Sequence, residues 1–326
     1  MTLFVLLGPT AVGKTELSLR LAELLQSPVI NCDSRQIYHQ IPICTAAPTQ
    51  AERSRVEHYC VATHNLDQSY SAAQYEADVM QLLQPHAGGH RNFLLSGGSM
   101  MYADAVIRGI DDMPQADAAI RSRLRQQFET SGLEPLLQQL EALDPQYYAS
   151  VDRRNPQRVI HGLEMCLTTG RPFSSFRTGQ AKERPFRIVL IGLRRDREEL
   201  YHRIDRRIDL MFEQGILAET EAVYREYQPE VDAQFAGVIR NPSPTQAQPI
   251  PNLLPQSLNT VGLKEMLLHY AGIYSLEQAR ERIAHNSKVY SKKQMTWFQR
   301  DPAIHWFNPD EWPEIRDFVD STKEKS

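Results

Sequence analysis

The N-terminal segment carries a phosphate-binding motif. Residues 8–15 follow the pattern G-x-x-x-x-G-K-[ST], whose glycines allow a tight turn in which successive backbone N–H groups point at one anion. In this motif the lysine, Lys14, supplies positive charge to the terminal phosphates, and the hydroxyl of Thr15 is typical of a magnesium ligand. The alternative is an ordinary glycine turn between a strand and a helix. We predict a diphosphate or nucleotide site with Mg²⁺ as cofactor, formed by Gly8, Pro9, Thr10, Ala11, Val12, Gly13, Lys14 and Thr15.

Polar residues follow two other apolar runs. Asp33 comes directly after residues 29–32, and a Gly-Gly-Ser segment at 97–99 follows residues 93–96. Asp33 has the chemistry of a general base or of an outer ligand to magnesium, but Asp and Ser are also common helix N-caps, and a Gly-Gly pair also suits an ordinary turn. No apolar run ends in the distal carboxylate of an ATPase, unless Asp33 serves as one. The pattern therefore favours a transferase that uses the loop to hold a phosphate or pyrophosphate.

Two arginines lie four residues apart on a predicted helix. That spacing places the guanidinium groups of Arg203 and Arg207 on one helix face, where they could stabilise charge on phosphoryl oxygens. The alternative is a solvated face on which the arginines pair with the carboxylates of Glu199, Asp205 and Asp209.

The segment 280–300 is basic in a chain whose net charge is −4. It holds six basic residues against one acidic residue, with Tyr290, Trp297 and Phe298 interleaved. Such a segment suits RNA, because phosphates attract cations and unstacked bases need aromatic platforms. The alternative is an amphipathic helix in which Trp297 and Phe298 belong to the core.

Four apolar runs predict the strands that position these groups. They are residues 3–7, 29–32, 93–96 and 188–192, and helical patterns separate them, so we predict an α/β fold with a parallel sheet flanked by helices. Ligands of such sheets bind at the carboxyl ends of the strands, where the three polar segments should converge. Residues 113–185 show helical and no strand signals, which predicts a small helical insertion domain between core segments 1–112 and 186–326. The proline-rich stretch 240–256 is predicted to be a loop.

Composition indicates a globular protein of a reducing compartment. The four cysteines form no C-x-x-C pair, which argues against a zinc site or a disulfide framework. The N-terminal apolar run has five residues and no basic flank, too short for a signal peptide or a membrane span. We expect a cytoplasmic protein without a membrane partner. The acidic net charge excludes a general nucleic-acid coat protein but allows a local basic surface.

Taken together, these motifs resemble the tRNA dimethylallyltransferases (tRNA isopentenyltransferases), bacterial type, over about residues 5–300. The zinc finger appended to some eukaryotic members is missing. The chain departs from the family pattern at Ala47, where a lysine is usual, at Ser99, which replaces threonine, and at His161, which replaces arginine. The similar segments are 8–15 (GPTAVGKT), 32–38 (CDSRQIY), 70–75 (YSAAQY), 97–102 (GGSMMY), 155–158 (NPQR), 261–265 (VGLKE) and 292–298 (KKQMTWF).

The resemblance implies a P-loop NTPase-like fold and an enzyme that moves a dimethylallyl group from dimethylallyl diphosphate to N6 of adenosine 37, beside the tRNA anticodon. We expect a monomer, although the sequence does not reveal the oligomeric state. Asp33 would then take the N6 proton and Thr10 would contact the bridging oxygen, with Ser99 and Lys14 also catalytic. Arg203 and Arg207 would help hold the diphosphate. The residues expected to contact tRNA are Asp33, Ser34, Arg35, Gln36, Ser99, Arg121, Gln157, Arg158, Gly262, Lys264, Lys292 and Lys293.

Two other functions share these features. A P-loop kinase for small molecules or nucleotides has the same fold, the same loop and similar arginines. A regulatory nucleotide switch also has the loop, but the missing distal carboxylate and the lack of a guanine-specificity motif argue against it. Turnover of an allylic diphosphate distinguishes the transferase from both.

Overall fold

The predicted apolar runs form the centre of a six-stranded parallel sheet. The computed structural model describes residues 1–84, 91–114, 117–235 and 255–323. Its strands are β1 (Thr2–Leu7), β2 (Val29–Cys32), β3 (His58–Tyr59), β4 (Asn92–Gly97), β5 (Arg187–Leu193) and β6 (His305–Phe307). They lie in the order β3-β2-β4-β1-β5-β6, and all pairings are parallel. The four predicted strands and the α/β class are confirmed, and the short edge strands β3 and β6 were missed.

Helices cover both faces of this sheet. The helices, in chain order, are α1 (Lys14–Leu25), α2 (Pro42–Thr45), α3 (Gln50–Arg55), α4 (Ala72–Leu82), α5 (Met100–Ile107), α6 (Ala118–Ser131), α7 (Glu134–Leu143), α8 (Pro145–Ser150), α9 (Pro156–Thr169), α10 (Arg197–Gln214), α11 (Ile216–Gln234), α12 (Leu263–Tyr270), α13 (Leu276–Phe298) and α14 (Trp312–Thr322). A 3₁₀ turn spans Phe173–Phe176. None of the helices in the described ranges is both long and apolar enough to cross a membrane.

The central position of β1 explains why residues 3–7 form an uninterrupted apolar run. All six of its residues are buried. Alternate side chains point to opposite faces, so Phe4 and Leu6 pack in one core layer while Leu3, Val5 and Leu7 pack in the other. A strand covered on both faces has no position at which a polar side chain is favoured.

The strand register brings three chain segments to one edge of the sheet. Leu7, the last residue of β1, pairs with Gly97 at the end of β4, and Gly97 pairs in turn with Cys32 at the end of β2. The residues that follow these strands are therefore neighbours. This confirms that the phosphate loop, Asp33 and the Gly-Gly-Ser segment converge at the carboxyl ends of the strands.

The structure separates into two compact units. One comprises Met1–Ile107 with Arg184–Ser326, and the other comprises Arg108–Glu183. The second unit corresponds to the helical insertion domain that the sequence predicts at 113–185. It contains α6 to α9 and has its own core, in which Leu136, Leu140 and Leu163 are fully buried. Most of the proline-rich stretch at 240–256 lies outside the described residues.

Candidate active site

The phosphate loop connects the end of β1 to the start of α1. Gly13 caps α1 with φ of 113°, a value that favours glycine, and α1 begins at Lys14. The ammonium of Lys14 donates to the carbonyls of Gly8 (2.9 Å) and Pro9 (2.7 Å), so it lies inside the loop. Because α1 starts here, its positive end and free N–H groups face the same point as the Lys14 charge.

The electrostatics of Lys14 reflect this enclosure. Burial lowers the pKa of Lys14 to about 8, while the nearby Asp33 carboxylate raises it and Arg207 lowers it. Lys14 therefore loses its proton at a lower pH than an ordinary lysine. A bound anion adds negative charge beside the ammonium and favours its protonated form.

Asp33, Ser34 and Ser99 lie beyond the ends of β2 and β4, and the two serines are hydrogen-bonded to each other. The N–H of Ser34 donates to Ser99 Oγ (2.8 Å), and Ser99 Oγ–H donates to Ser34 Oγ (3.0 Å). Asp33 Oδ1 accepts from the N–H of Arg35 (2.9 Å) in a turn, and no helix starts there, so the helix-cap alternative for Asp33 is wrong.

The two arginines of α10 reach the phosphate loop. Arg203 Nε donates to the carbonyl of Ala11 (2.9 Å). Arg207 Nη1 donates to Thr10 Oγ1 (3.1 Å) and its Nη2 donates to the carbonyl of Thr45 (3.0 Å). Burial lowers the pKa of Arg207, and the Asp33 carboxylate opposes this.

The ion pairs that the alternative required for these arginines are not formed, although Arg203 is exposed. The three carboxylates expected to pair with Arg203 and Arg207 bind other cations at 2.5–2.7 Å. The pairs are Glu199 with Arg195, Asp205 with Lys288, and Asp209 with Arg280. Arg203 and Arg207 are thus directed at the loop.

Arg195 and Gln294 were not predicted to belong to this site, and Tyr290 was named only as an aromatic residue of the basic segment. Arg195 Nε donates to the carbonyl of Val12 (2.9 Å), and its two terminal nitrogens bind both oxygens of Asp310 at 2.7 Å. Gln294 accepts from the N–H of Thr10 and donates to the carbonyl of Gly98. Burial raises the pKa of Tyr290 to about 12, as does the Asp33 carboxylate, so this phenol stays neutral beside the site. Gln294 stands within the family-like segment 292–298, the one signal that could have indicated it.

The remaining predicted contacts of the larger unit lie on the segments around this edge. Arg35 Nη1 donates to the carbonyl of Gln256 (2.7 Å), and Gln36 Nε2 donates to the carbonyls of Thr45 (3.2 Å) and Ala46 (2.9 Å). Gly262 precedes α12 and Lys264 is half-buried in its first turn, where burial lowers the pKa of Lys264. Lys292 and Lys293 are exposed on α13.

The aromatic residues near the end of α13 serve the fold. Phe298 is buried in the core, and Trp297 packs against the same cluster and donates from Nε1 to Asp104 (3.0 Å). For these two residues the core alternative is confirmed. The exposed Lys292 and Lys293 and the partly buried Tyr290 precede them on the helix.

The smaller unit holds three of the predicted tRNA contacts. Gln157 and Arg158 are exposed in the first turn of α9. Arg121 is held by the buried carboxylate of Glu164, at 2.8 Å from Nε and 3.0 Å from Nη2. His161 lies 3.6 Å from the same carboxylate, and burial lowers its pKa while Glu164 raises it.

Thr15 offers a hydroxyl for a metal ion in this site. It is exposed in the first turn of α1, directly after Lys14. Across the described ranges, no cluster of three or more His, Cys, Asp or Glu side chains could hold a metal by itself. Magnesium commonly takes one or two protein oxygens and completes its shell with phosphate oxygens and water, so Thr15 fits a magnesium ion that arrives with a diphosphate.

Comparisons with known proteins agree with this geometry. Residues 36–301 match the family described as IPP transferase. The chain is 52% identical over 309 residues to tRNA dimethylallyltransferase 2 of Porphyromonas gingivalis, covering 95% of this chain and 94% of that relative. It is 48% identical to tRNA dimethylallyltransferase 1 of Bacteroides thetaiotaomicron, covering 98% and 95%.

A solved structure gives the same result for the fold. The full-length tRNA isopentenylpyrophosphate transferase of Bacillus halodurans superposes with a TM-score of 0.66 at 30% identity, covering 98% of this chain and 96% of that one. The matches extend over nearly the whole chain, including the phosphate loop and Asp33 that precede the family match. This chain therefore belongs to the IPP transferase family, which includes the tRNA dimethylallyltransferases.

Proposed function

We propose that this protein transfers the dimethylallyl group of dimethylallyl diphosphate to N6 of adenosine 37 in tRNA and releases diphosphate. The observation that carries the proposal is the placement of an anion-binding loop beside a carboxylate and two serines at one edge of the sheet. An anion site holds the leaving group, and the adjoining carboxylate accepts a proton from the nucleophile.

The reaction needs a stabilised leaving group. The bond between the allyl carbon and the bridging oxygen breaks, and the oxygen keeps the electron pair. The loop N–H groups, Lys14 and Arg207 hold the diphosphate that results, and Thr10 contacts the bridging oxygen. The contact of Arg207 with Thr10 Oγ1 and the enclosure of Lys14 in the loop support these roles. Arg203 orders the loop through the carbonyl of Ala11. Magnesium bound at Thr15 would supply further charge stabilisation to the diphosphate.

The nucleophile needs a base, because the N6 lone pair is delocalised into the purine. As N6 forms its bond to the allyl carbon, Asp33 takes an N6 proton. Ser34 and Ser99 fix the end of β2 through their shared hydrogen bonds and help to place the adenine. The adenine leaves the anticodon-loop stack to reach this pocket, as bases do in other base-modifying enzymes.

The tRNA would be bound by residues outside the chemical centre, all of them cationic or polar except Gly262. On the larger unit these are Arg35, Gln36, Gly262, Lys264, Lys292 and Lys293, and on the smaller unit they are Arg121, Gln157 and Arg158. The Lys292–Lys293 pair is exposed on the basic segment, as phosphate contacts require. We further propose that the enzyme acts as a monomer in the cytoplasm, a reducing compartment that fits its four free cysteines.

A transfer assay tests the proposal. The protein is incubated with dimethylallyl diphosphate labelled in the allyl group, Mg²⁺ and bulk tRNA, and the RNA is then digested to nucleosides. Label on N6 of adenosine is the expected result. Absence of label, with ATP consumed when small acceptors are supplied, would overturn the transferase and favour the kinase.

A further inference from the structure

Gln294 spans the two loops that the proposed reaction must bring together. It lies on α13 and is only 2% exposed. Its Oε1 accepts from the N–H of Thr10 (2.9 Å), and its Nε2 donates to the carbonyl of Gly98 (2.7 Å). One buried side-chain amide therefore joins the phosphate loop to the segment that carries Ser99.

The Gly98 side of this link is connected to the candidate base. The N–H of Ser99 donates to the carbonyl of Cys32 (3.1 Å), and Ser99 Oγ accepts from the N–H of Ser34. Cys32 and Ser34 flank Asp33 in the chain. A shift of Gly98 is therefore transmitted to both sides of Asp33.

We infer that Gln294 is a positioning residue that sets the separation between the diphosphate loop and the acceptor group formed by Asp33, Ser34 and Ser99. The inference rests on the proposed function. A neutral amide adds no charge to the site, and its two hydrogen bonds go to backbone atoms of the two loops. Gln294 acts on the alignment of the two substrates with each other, and small errors of alignment are costly in reactions between two bound groups.

The two hydrogen bonds can be separated by substitution. Gln294→Glu keeps an acceptor for the N–H of Thr10 but places a carboxylate oxygen against the carbonyl of Gly98. Gln294→Met removes both bonds with little change in volume. If only the Thr10 contact mattered, the glutamate variant would behave as the wild type, whereas a link between the loops requires both bonds.

Single-turnover label transfer measures the alignment directly. Gln294→Glu should slow the transfer step roughly tenfold or more, and Gln294→Met at least as much, because a buried polar partner is left unsatisfied. The affinities for dimethylallyl diphosphate alone and for an anticodon stem-loop RNA alone should stay within roughly threefold of wild type. Gln299→Glu, on an exposed glutamine just after the same helix, is the matched control and should transfer at the wild-type rate.

Two results of the transfer, binding and melting measurements would overturn the inference. One is a wild-type transfer rate in Gln294→Glu. The other is a parallel loss of rate, of both affinities and of melting temperature in both variants, which indicates a role in folding alone. Hydrogen exchange of the phosphate loop checks the contact independently of activity, since Gln294→Met should speed exchange there and Gln294→Glu should not. If the wild-type protein transfers no label, the proposed function fails, but hydrogen exchange still tests Gln294. Unchanged hydrogen exchange of the phosphate loop in Gln294→Met would overturn the inference that Gln294 links the two loops.

Discussion

The guanidinium of Arg207 donates to the hydroxyl of Thr10 across 3.1 Å, although the two residues are 197 positions apart in the chain. The same guanidinium donates to the carbonyl of Thr45. A side chain that binds the phosphate loop and the segment after β2 at once fixes the direction of Thr10 Oγ1. This relationship makes the contribution of Arg207 geometric as well as electrostatic.

Replacing Arg207 by lysine should therefore weaken the enzyme even though the charge remains. The ammonium cannot make both directed hydrogen bonds, and loss of such charge-assisted bonds costs roughly tenfold to a hundredfold in kcat/KM for dimethylallyl diphosphate. Steady-state kinetics with saturating tRNA measures the change. Arg206→Lys, on the exposed neighbouring residue, is the matched control. Equal kinetics for the two variants would contradict the role given to Arg207.

Replacing Asp33 by asparagine should stop transfer while preserving tRNA binding. The amide keeps the shape and can still accept from the N–H of Arg35, but it is too weak a base for the N6 proton, so we expect kcat to fall by roughly a hundredfold or more. Filter binding of tRNA should change little. Asp67→Asn, at an exposed position, controls for the loss of one negative charge. Transfer by Asp33→Asn at near wild-type rate would remove the base assignment.

Affinity for dimethylallyl diphosphate should decline above pH 8. Burial lowers the pKa of Lys14 to about 8 from its ordinary 10.5. The free protein then loses the Lys14 charge above that pH and must take up a proton to bind the anion, so the dissociation constant rises by up to about tenfold per pH unit. Titration calorimetry from pH 7 to pH 9.5 measures this, and Lys14→Arg should flatten the profile because arginine stays charged.

The lowered pKa of Lys14 also determines how the stability of the protein changes with pH. A lowered pKa in the folded state means that unfolding takes up a proton between pH 8 and 10.5, so the contribution of Lys14 to stability increases with pH across that window. Denaturant unfolding of wild type and Lys14→Met at pH 7.5 and pH 9.5 should show a stability gain for the substitution that shrinks at the higher pH. A gain that grows instead would contradict the buried ammonium.

We expect two arginines of the smaller unit to have different roles, Arg121 in stability and Arg158 in tRNA binding. Arg121 pairs with Glu164, whose side chain is 1% exposed, so Arg121→Ala leaves a buried carboxylate unpaired. Because Arg121 itself is partly exposed, we expect a loss of about 1–2 kcal/mol in the free energy of unfolding rather than the larger cost of a fully buried pair.

Arg158 is exposed, so Arg158→Ala should leave the free energy of unfolding unchanged and lower tRNA affinity. Thermal unfolding and filter binding on both variants provide the comparison. A stability loss in Arg158→Ala, or none in Arg121→Ala, would reverse these assignments.

The sequence predicts what depends on local pattern. The continuous apolar runs of β1 and β4 indicate buried parallel strands, and the loop motif gives the start of α1. β3 has two residues and β6 has three, so neither produces a measurable periodicity. The convergence of the polar segments also follows from sequence, because parallel strands share one carboxyl edge.

The long-range partners of the site could not be predicted in this way. In the sequence, Gln294 resembles an ordinary helix residue and Arg195 an ordinary loop residue. Their roles depend on distant contacts, of Gln294 with Thr10 and of Arg195 with Val12. The spacing of Arg203 and Arg207 predicts a shared face but does not reveal what that face contacts. Trp297 and Phe298 match both an RNA platform and a core, and only packing distinguishes the two.

The central position of β1 has a consequence for how the protein is made. β1 is hydrogen-bonded on one side to β4 and on the other to β5, and its loop is held by Gln294 and, through Arg195, by Asp310. The ribosome synthesises β1 before any of these partners. A nascent chain must keep this apolar strand from aggregating until β5 has emerged, and the phosphate loop acquires its full set of contacts only when translation has passed Asp310.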